Sequence, residues 1–284
     1  MLLLVDLDGV VYRSSEAVPG VASVLAARAA AGDDVVYVTN NATAYHTDYV
    51  PRLAGLGAPV GPDRVVTSAR ASAQWVRDRM PEVRRVLAVG TSGLERELRE
   101  AGFDVVSAGH AATRMHQEGI DGWAAAGHPD AVVVGLDPQM SYLRVAAAAD
   151  CVRAGAALIA TNRDPVFPIE HGFRPGAGAV VAAVAAAART EPRVVIGKPA
   201  PYLLEVAARV VGADARRAVM IGDSVTDVAA GRAVGARTVL MLTGVTSRAT
   251  AEALEGDERP TRVAEDAAAL EAAIADLAEL AGGS

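Results

Sequence analysis

The sequence predicts an α/β protein built on parallel β-sheets. Apolar runs of strand length alternate with segments of helical periodicity along the 284 residues. These runs are apolar on both faces, as expected of parallel strands that are covered by helices on both sides. The first run, Leu2–Val5, is followed at once by charged residues, and ligands bind at this end of the strands in such sheets. The three observations together favour a Rossmann-like sheet.

Nine runs are long and apolar enough to be strands, which is more than one open sheet ordinarily holds, so we expect two sheets. The predicted strands are Leu2–Val5, Asp34–Val38, Val86–Val89, Asp104–Val106, Ala131–Val134, Ala157–Ala160, Val194–Ile196, Ala218–Ile221 and Thr238–Met241. Helical periodicity is found over Val21–Ala31, Tyr142–Ala154, Ala200–Val211 and Val225–Ala233. Residues 1–80 and 191–284 are expected to complete one domain around an inserted α/β domain, residues 81–190.

Composition narrows the classes of partner. The net charge of −7 and the pI near 5.3 argue against a nucleic-acid or anionic-membrane surface. No apolar run approaches the roughly 20 residues of a membrane span, and the short run before Asp6 does not suggest a secretory signal. The single cysteine, Cys151, excludes internal disulfides and fits a reducing compartment. We therefore expect a cytoplasmic protein.

Two carboxylates end the first strand. Asp6 and Asp8 lie two residues apart, so both side chains point the same way for as long as the strand persists. Burying two like charges together is costly unless a cation or a proton compensates them. A hard divalent metal with oxygen ligands is the natural solution.

Three further strand ends carry polar clusters. They are Thr39-Asn40-Asn41, Gly197-Lys198-Pro199 and Gly222-Asp223-Ser224-Val225-Thr226-Asp227. Each cluster alone is also explained as a helix cap, a loop or a turn. We expect all three, with Asp6 and Asp8, to converge on one edge of the outer sheet.

Phosphate monoester hydrolysis uses this combination of groups. An aspartate attacks phosphorus and splits one slow step into two easier ones. A metal ion neutralises charge, while a lysine and N–H or O–H donors hold the phosphoryl oxygens. A second carboxylate protonates the leaving oxygen and then activates water.

The four clusters, in this order, resemble the haloacid dehalogenase (HAD) superfamily of aspartate-nucleophile phosphotransferases. Four segments are similar to its NagD-like branch, and the resemblance covers nearly the whole chain. The segments are Thr39–Asn41, Ile159–Pro165, Pro175–Gly178 and Gly197–Pro201. That branch includes p-nitrophenyl, phosphoglycolate, glycerol-phosphate, nucleotide and pyridoxal-phosphate phosphatases. The implied fold is a HAD core with an inserted α/β cap domain.

The resemblance implies a role for each core residue. Asp6 becomes the nucleophile and Asp8 the general acid/base. Mg²⁺ is expected on the side chains of Asp6 and Asp223 and on the backbone carbonyl of Asp8. The phosphoryl group is expected to be held by Thr39, the Asn40 backbone and Lys198. Three further residues are expected to support the site. Asp227 is expected to orient water or Lys198, and Gly9 to leave room for the turn after the first strand. Asn41 is the third supporting residue. The spacing from Asp223 to Asp227 is one residue shorter than is common in this branch, although the wider superfamily has both spacings.

The inserted segment 81–190 is implied to be the cap that closes over the site. Its candidates for contacts with the leaving group are Asn162, Arg163, Asp164 and Phe167. Arg163 could pair with an anionic substrate tail, or be a solvated loop charge. Some relatives place a histidine near Phe167, and its absence here disfavours pyridoxal phosphate. The role of residues 107–130, which hold three histidines at spacings untypical of a zinc site, stays open.

We therefore predict an Mg²⁺-dependent hydrolase of small phosphate monoesters that works through an aspartyl-phosphate. Glycerol phosphate, phosphoglycolate, nucleoside monophosphates and sugar phosphates are all open as substrates, with p-nitrophenyl phosphate as an artificial one. The alternatives are a phosphomutase or phosphotransferase on the same core, and a catalytically idle ligand-binding protein. The expected partner is a small phosphorylated metabolite, not nucleic acid or a membrane. The oligomeric state is open, with a homodimer as one alternative.

Overall fold

The computed structural model describes residues 1–125, 127–169 and 172–282. Its strands are β1 (Leu2–Asp6), β2 (Tyr12–Arg13), β3 (Glu16–Ala17), β4 (Asp34–Thr39), β5 (Val65–Thr67), β6 (Arg85–Val89), β7 (Asp104–Ser107), β8 (Ala131–Val134), β9 (Ala157–Ala160), β10 (Val166–Ile169), β11 (Gly172–Pro175), β12 (Val194–Val195), β13 (Ala218–Gly222), β14 (Arg237–Met241) and β15 (Arg262–Ala264). Its α-helices are α1 (Val21–Ala30), α2 (Val50–Gly55), α3 (Ser68–Arg79), α4 (Ser92–Glu100), α5 (Ala108–Ala125), α6 (Tyr142–Arg153), α7 (Ala177–Ala188), α8 (Tyr202–Val210), α9 (Val225–Ala233), α10 (Arg248–Glu252) and α11 (Ala267–Gly282).

The chain forms two compact units. The first contains Met1–Thr39, His46–Val66 and the described residues from Lys198 onward. The second contains the described residues of Asn40–Tyr45 and Thr67–Gly197. The boundaries expected from the sequence, at residues 81 and 190, lie inside this second unit. The division into a catalytic domain and an inserted cap domain stays a prediction.

A six-stranded sheet organises the first unit, with the strand order β15-β14-β13-β1-β4-β5. β1 lies in its interior and pairs in parallel with β4 and β13. Its four apolar residues, Leu2–Val5, are buried, as expected of a parallel strand with neighbours on both sides. The predicted parallel α/β architecture is confirmed here.

The register of this sheet brings three polar strand ends to one level. Asp6 pairs with Val38, so Thr39 lies one residue further along the neighbouring strand. On the other side Val5 pairs with Ile221, so Asp223 follows one residue beyond the level of Asp6. β1 lies between β13 and β4 in the sheet. Open α/β sheets bind ligands at such a position, beyond the carboxyl ends of the strands.

A five-stranded sheet organises the second unit, in the order β12-β9-β8-β6-β7, and all four pairings are parallel. β12 is its edge strand, because Val194 and Val195 pair with Ile159 and Ala160 of β9. This corrects the expectation that the strand Val194–Ile196 belongs to the outer sheet with β1. A two-residue strand carries too little pattern to reveal which sheet supplies its partner.

All nine predicted strands are present to within one or two residues at each end. Among the described residues, six further strands were not expected, each of only two to four residues: β2, β3, β5, β10, β11 and β15. In the described ranges, no α-helix combines the length and the apolar character that a bilayer span requires.

Candidate active site

A buried lysine joins two buried carboxylates at the carboxyl end of β1. Lys198 Nζ lies 2.5 Å from Asp6 Oδ1 and 2.6 Å from Asp227 Oδ1. All three residues are less than a tenth exposed. The charge-assisted hydrogen bond to Asp6 and the close ion pair with Asp227, both in a dry setting, fix the position of the ammonium group. The lysine that follows β12 and the two aspartates from β1 and α9 therefore belong to one cluster, as the sequence predicted.

Asp223 adds a third carboxylate to this cluster. Carboxylate oxygens of Asp6, Asp223 and Asp227 lie within 4.8 Å of one another, and all three residues are buried. One ammonium, that of Lys198, offsets only part of their negative charge. A buried surplus of negative charge is costly without a cation, and carboxylate oxygens are the donors that Mg²⁺ and Ca²⁺ prefer. The donor set therefore fits a divalent cation.

The pKa values follow from burial and from this crowding. Burial raises the pKa of Asp6 well above its usual range, with the charges of Asp227 and Asp223 adding to the rise and Lys198 opposing it. Burial and the Asp227 charge raise the pKa of Asp223 to about 6, against the opposing hydrogen bond from the Val245 N–H. Burial lowers the pKa of Lys198, but attraction to Asp227 and Asp6 outweighs this, so the pKa lies above its usual value. Lys198 is thus held as a cation.

Asp227 has a second task at the start of α9. Its Oδ2 accepts hydrogen bonds from Ser224 Oγ at 2.6 Å, from the Ser224 N–H at 3.0 Å and from the Asp223 N–H at 3.1 Å. The Ser224 hydroxyl accepts from the Asp227 N–H in return, which makes a capping box. One oxygen of this carboxylate therefore pairs with the Lys198 ammonium, and the other accepts the hydrogen bonds at the start of α9. This agrees with a residue that orients Lys198 and the turn carrying Asp223.

Asp8 lies in the turn after β1, and its side chain is exposed. The turn is closed by the Gly9 N–H, which donates to Tyr12 O at 2.7 Å, and by the Val11 N–H, which donates to Leu7 O at 3.0 Å. Desolvation by the surrounding groups raises the pKa of Asp8, and the charges of Arg52 and Lys198 oppose the rise. A raised pKa favours the protonated form that a general acid requires.

The predicted phosphate-binding residues at the end of β4 fall on both sides of a unit boundary. Thr39 is buried and is the last residue of β4 in the first unit. Asn40 and Asn41 belong to the second unit. Asn41 Oδ1 accepts hydrogen bonds from the Thr43 N–H at 2.9 Å and the Thr43 hydroxyl at 2.6 Å, so this side chain shapes the turn that follows.

The loop after β14 supports the site and was not singled out from the sequence. The Val245 N–H donates to Asp223 Oδ2 at 2.8 Å, and the Thr243 hydroxyl donates to Gly9 O at 2.6 Å. A Cβ at Gly244 would overlap the Asp223 carboxylate. The signal available in the sequence was a Thr-Gly pair one residue after a strand predicted to lie in the same sheet.

Gly9 is pressed against the same carboxylate. Its φ of +81° is unfavourable for other residues, and a Cβ there would also overlap Asp223. The predicted role of Gly9, which is to leave room for the turn after β1, agrees with this packing. Gly9 and Gly244 together leave Asp223 little freedom to move.

The four candidate leaving-group residues have different surroundings within the second unit. Asn162 is buried, and its side chain donates to Asn40 O at 2.7 Å. Asp164 Oδ2 accepts from Asn40 Nδ2 at 2.9 Å. Arg163 is exposed and pairs with Glu191, while Phe167 is half-buried on β10. Contact of these residues with a leaving group stays a prediction.

The fold and the carboxylate–lysine cluster define the class of protein as one with a parallel α/β fold and an aspartate-rich centre at the end of a parallel strand. Residues 3–104 match the family described as haloacid dehalogenase-like hydrolase, and residues 195–270 match the HAD-hydrolase-like family. Glycerol-3-phosphate phosphatase of Mus musculus is 36% identical over 263 residues, which cover 86% of this chain and 79% of the relative. The chain therefore belongs to the haloacid dehalogenase-like hydrolases.

Two solved structures have the same fold. The p-nitrophenyl phosphatase from Archaeoglobus fulgidus has a TM-score of 0.82 at 29% identity, covering 96% of this chain and 98% of that one. Glycerol phosphate phosphatase Rv1692 from Mycobacterium tuberculosis, in complex with magnesium, has a TM-score of 0.81 at 34% identity, covering 95% and 75%. The protein is thus an enzyme, a HAD-type phosphatase of the NagD-like branch.

Proposed function

We propose that this chain is an Mg²⁺-dependent hydrolase of small phosphate monoesters that works through an aspartyl-phosphate on Asp6. The observation that carries the proposal is the buried cluster in which Lys198 pairs with Asp6 while Asp223 and Asp227 lie within 4.8 Å. Two names among the relatives support small esters as substrates, namely glycerol-3-phosphate and p-nitrophenyl phosphatase. We take glycerol phosphate as the first substrate to test, with phosphoglycolate, nucleoside monophosphates and sugar phosphates as the other classes.

The metal would be held by the side chains of Asp6 and Asp223 and by the backbone carbonyl of Asp8. Asp227 would support the site from outside this ligand set, because one of its oxygens pairs with Lys198 and the other accepts hydrogen bonds at the start of α9. When bound, a divalent cation neutralises charge on the phosphoryl group, so that a carboxylate is able to approach it. A related structure contains magnesium, which supports Mg²⁺ as the ion.

The residues divide the reaction between them. An oxygen of Asp6 attacks phosphorus, the ester P–O bond breaks, and Asp8 gives its proton to the leaving alcohol oxygen. Asp8 then takes a proton from water, and the water oxygen attacks the same phosphorus. The bond between Asp6 and phosphorus breaks, which releases inorganic phosphate and restores both carboxyl groups.

Three groups would hold the phosphoryl oxygens during both steps. They are the Lys198 ammonium, the Thr39 hydroxyl and the Asn40 backbone N–H. The ammonium is already fixed by Asp6 and Asp227, so no reorganisation is needed as charge develops on the oxygens. This preorganisation is where we expect most of the rate acceleration to arise.

The test is release of phosphate from a panel of small monoesters with Mg²⁺ and with a chelator. We expect release that disappears with the chelator, and we expect Asp6→Asn to lower kcat by roughly 10⁴-fold or more. Thermal unfolding of the variant shows whether it is folded. Transfer of phosphate to a second sugar, rather than to water, would indicate the phosphotransferase instead. A folded protein that binds Mg²⁺ but releases no phosphate from any ester would indicate a ligand-binding protein.

A further inference from the structure

The backbone carbonyl of Asn40 joins three segments of the second unit, because it accepts hydrogen bonds from residues of two other segments. Asn40 O accepts hydrogen bonds from Ser68 Oγ at 2.6 Å and from Asn162 Nδ2 at 2.7 Å. A carbonyl is only an acceptor, so the orientation of the Asn162 amide follows from this contact. Both donors come from buried residues. Hydrogen bonds in such a setting are costly to leave unmade.

The side chain of Asn40 is fixed as well. Its Nδ2 donates to Asp164 Oδ2 at 2.9 Å, and Asp164 is itself positioned because its N–H donates to Asn162 Oδ1 at 3.1 Å. Asn162 therefore acts twice, through its donor on the Asn40 carbonyl and through its acceptor on the Asp164 backbone.

Asn40 and Asn162 also restrict the backbone at Gly197. The Gly197 N–H donates to Thr161 O at 2.7 Å. A Cβ at Gly197 would overlap Asn40 Oδ1 and come within 3.0 Å of the Asn162 Cβ. Only glycine allows the backbone to pass this close to both asparagines.

These contacts lie at the connections that carry the phosphate-binding groups. Asn40 directly follows Thr39, and Gly197 directly precedes Lys198. The chain passes from one unit to the other at four places. Three of them, residues 39/40, 66/67 and 197/198, lie within two residues of Asn40, Ser68 and Gly197. The hydrogen bonds of this cluster therefore hold Asn40 and Gly197, the residues that are covalently bonded to Thr39 and Lys198.

We propose that Asn162 and Asp164 are positioning residues that hold the Thr39–Asn40 and Gly197–Lys198 connections, so that affinity for phosphate depends on them. This inference rests on the proposed function. It gives the two residues a role different from contact with the leaving group. Loss of the Asn162 donor should weaken the binding of every phosphate compound equally, because the displaced groups contact the part that all substrates share.

The experiment compares the affinity for inorganic phosphate, measured by calorimetry in the presence of Mg²⁺, between wild type and variants. Asn162→Ala removes both contacts, and Asn162→Asp keeps the shape and the acceptor but removes the donor. We expect both to raise the Kd for phosphate by about 10-fold or more, since small displacements of binding groups are this costly. Asp164→Ala should do the same, whereas Asp164→Asn retains an acceptor for Asn40 and should recover most of the affinity.

Gln139→Ala is the matched control. Gln139 is an exposed residue in the loop after β8 of the same sheet, and its side-chain amide bonds to Arg144. Its removal should leave the Kd for phosphate unchanged. Thermal unfolding identifies any variant that does not fold, and Asn162→Asp decides the question if Asn162→Ala is unfolded.

Kinetics on two esters complete the test. The proposal expects kcat/KM for glycerol phosphate and for p-nitrophenyl phosphate to fall by the same factor in Asn162→Ala. A change confined to one ester, with an unchanged Kd for phosphate, would overturn it in favour of a leaving-group contact. A lower Tm with an unchanged Kd would overturn it in favour of a purely structural role. Absence of turnover in wild type would instead reject the proposed function, while the calorimetric comparison would still decide the positioning role.

Discussion

Lys198 Nζ lies 2.6 Å from Asp227 Oδ1, and the other oxygen of the same carboxylate closes the capping box of α9. One carboxylate thus links the lysine to the start of a helix. The shortened spacing between Asp223 and Asp227 makes this arrangement, because it places Asp227 three residues after Ser224, where a capping-box acid belongs. The position of the lysine therefore depends on a local helix motif.

Two substitutions separate these tasks. Asp227→Asn should lower kcat by roughly 10- to 100-fold, as loss of an orienting partner commonly does, because Lys198 loses a charged partner. Ser224→Ala removes the cap hydroxyl but keeps the Lys198–Asp227 pair, and should cost about 1 kcal/mol of stability with little change in kcat. Steady-state kinetics and thermal unfolding check both variants. Equal kinetic losses in the two variants would contradict a separate role for the lysine contact.

Asp8→Asn should have an effect that depends on the leaving group. If Asp8 protonates the leaving oxygen, the loss in kcat/KM should be larger for glycerol phosphate, whose alkoxide is a poor leaving group, than for p-nitrophenyl phosphate. General acid catalysis contributes about 10²- to 10⁴-fold, so the difference between the two esters should be easy to measure. The same loss on both esters would argue against proton donation by Asp8. This pattern also differs from the uniform loss expected for Asn162→Ala.

The raised pKa of Asp223 predicts a pH-dependent stability. With a pKa of about 6, against an ordinary value of 3.8, the folded protein binds more protons than the unfolded chain between these pH values. Stability of the metal-free protein should therefore fall as pH rises through this window. A cation binds the ionised form, so the increase in Tm on adding Mg²⁺ should be larger near pH ~8 than near pH ~5.

The control for this behaviour is Asp223→Asn. Without a carboxyl group to ionise at this position, the metal-free variant should be more stable than wild type at neutral pH and should respond weakly to Mg²⁺. Calorimetric unfolding with and without Mg²⁺ gives both quantities. An equal Mg²⁺ response in the variant would remove Asp223 from the metal site.

The loop after β14 should control metal affinity. Gly244→Ala places a methyl group against the Asp223 carboxylate and should weaken Mg²⁺ binding by about 10-fold, the scale on which supporting groups act. Thr243→Val removes the hydroxyl that donates to Gly9 O and should have a smaller effect in the same direction. Mg²⁺ titration by calorimetry measures both.

Ser247→Ala is the comparison for this loop. Ser247 caps α10 through its hydroxyl, which accepts from the Thr250 N–H at 3.1 Å. Its loss should cost stability of about 1 kcal/mol without changing Mg²⁺ affinity. If Ser247→Ala weakens Mg²⁺ as much as Gly244→Ala does, the effect is general loosening and not displacement of Asp223.

The elements that a local sequence pattern determines could be predicted from the sequence. The run Leu2–Val5 before Asp6 has no polar side chain, which favours a buried strand. Its neighbours in the sheet bring Thr39 and Asp223 to the same edge. The resemblance placed Lys198 at the same edge as Asp6, but their direct pairing was not predicted. β12 was assigned to the wrong sheet because its two residues carry no information about their partner.

Side-chain contacts between residues far apart in the sequence could not be predicted, for a similar reason. Asn162 and Asn40 are 122 residues apart, and neither the composition nor the periodicity around them indicates that they meet. Thr243 and Gly244 were missed because a Thr-Gly pair after a strand is explained equally well by an ordinary turn. Their contacts to Gly9 and Asp223 appear only when the sheet is assembled.

The membership of β12 in the second sheet matters for anyone who wishes to exchange modules between related enzymes. A graft cut at residues 81 and 190 would separate Val194 and Val195 from their pairing partners in β9. It would also leave Ser68 and Gly197 out of the transferred segment, so Asn162 would meet the recipient's own residues at those positions. Chimaeras that exchange residues 67–197 together with 40–45 would keep the donor's own hydrogen bonds around Asn40 and Gly197. We expect the contacts around Asn40 and Gly197 to decide whether donor and recipient are compatible.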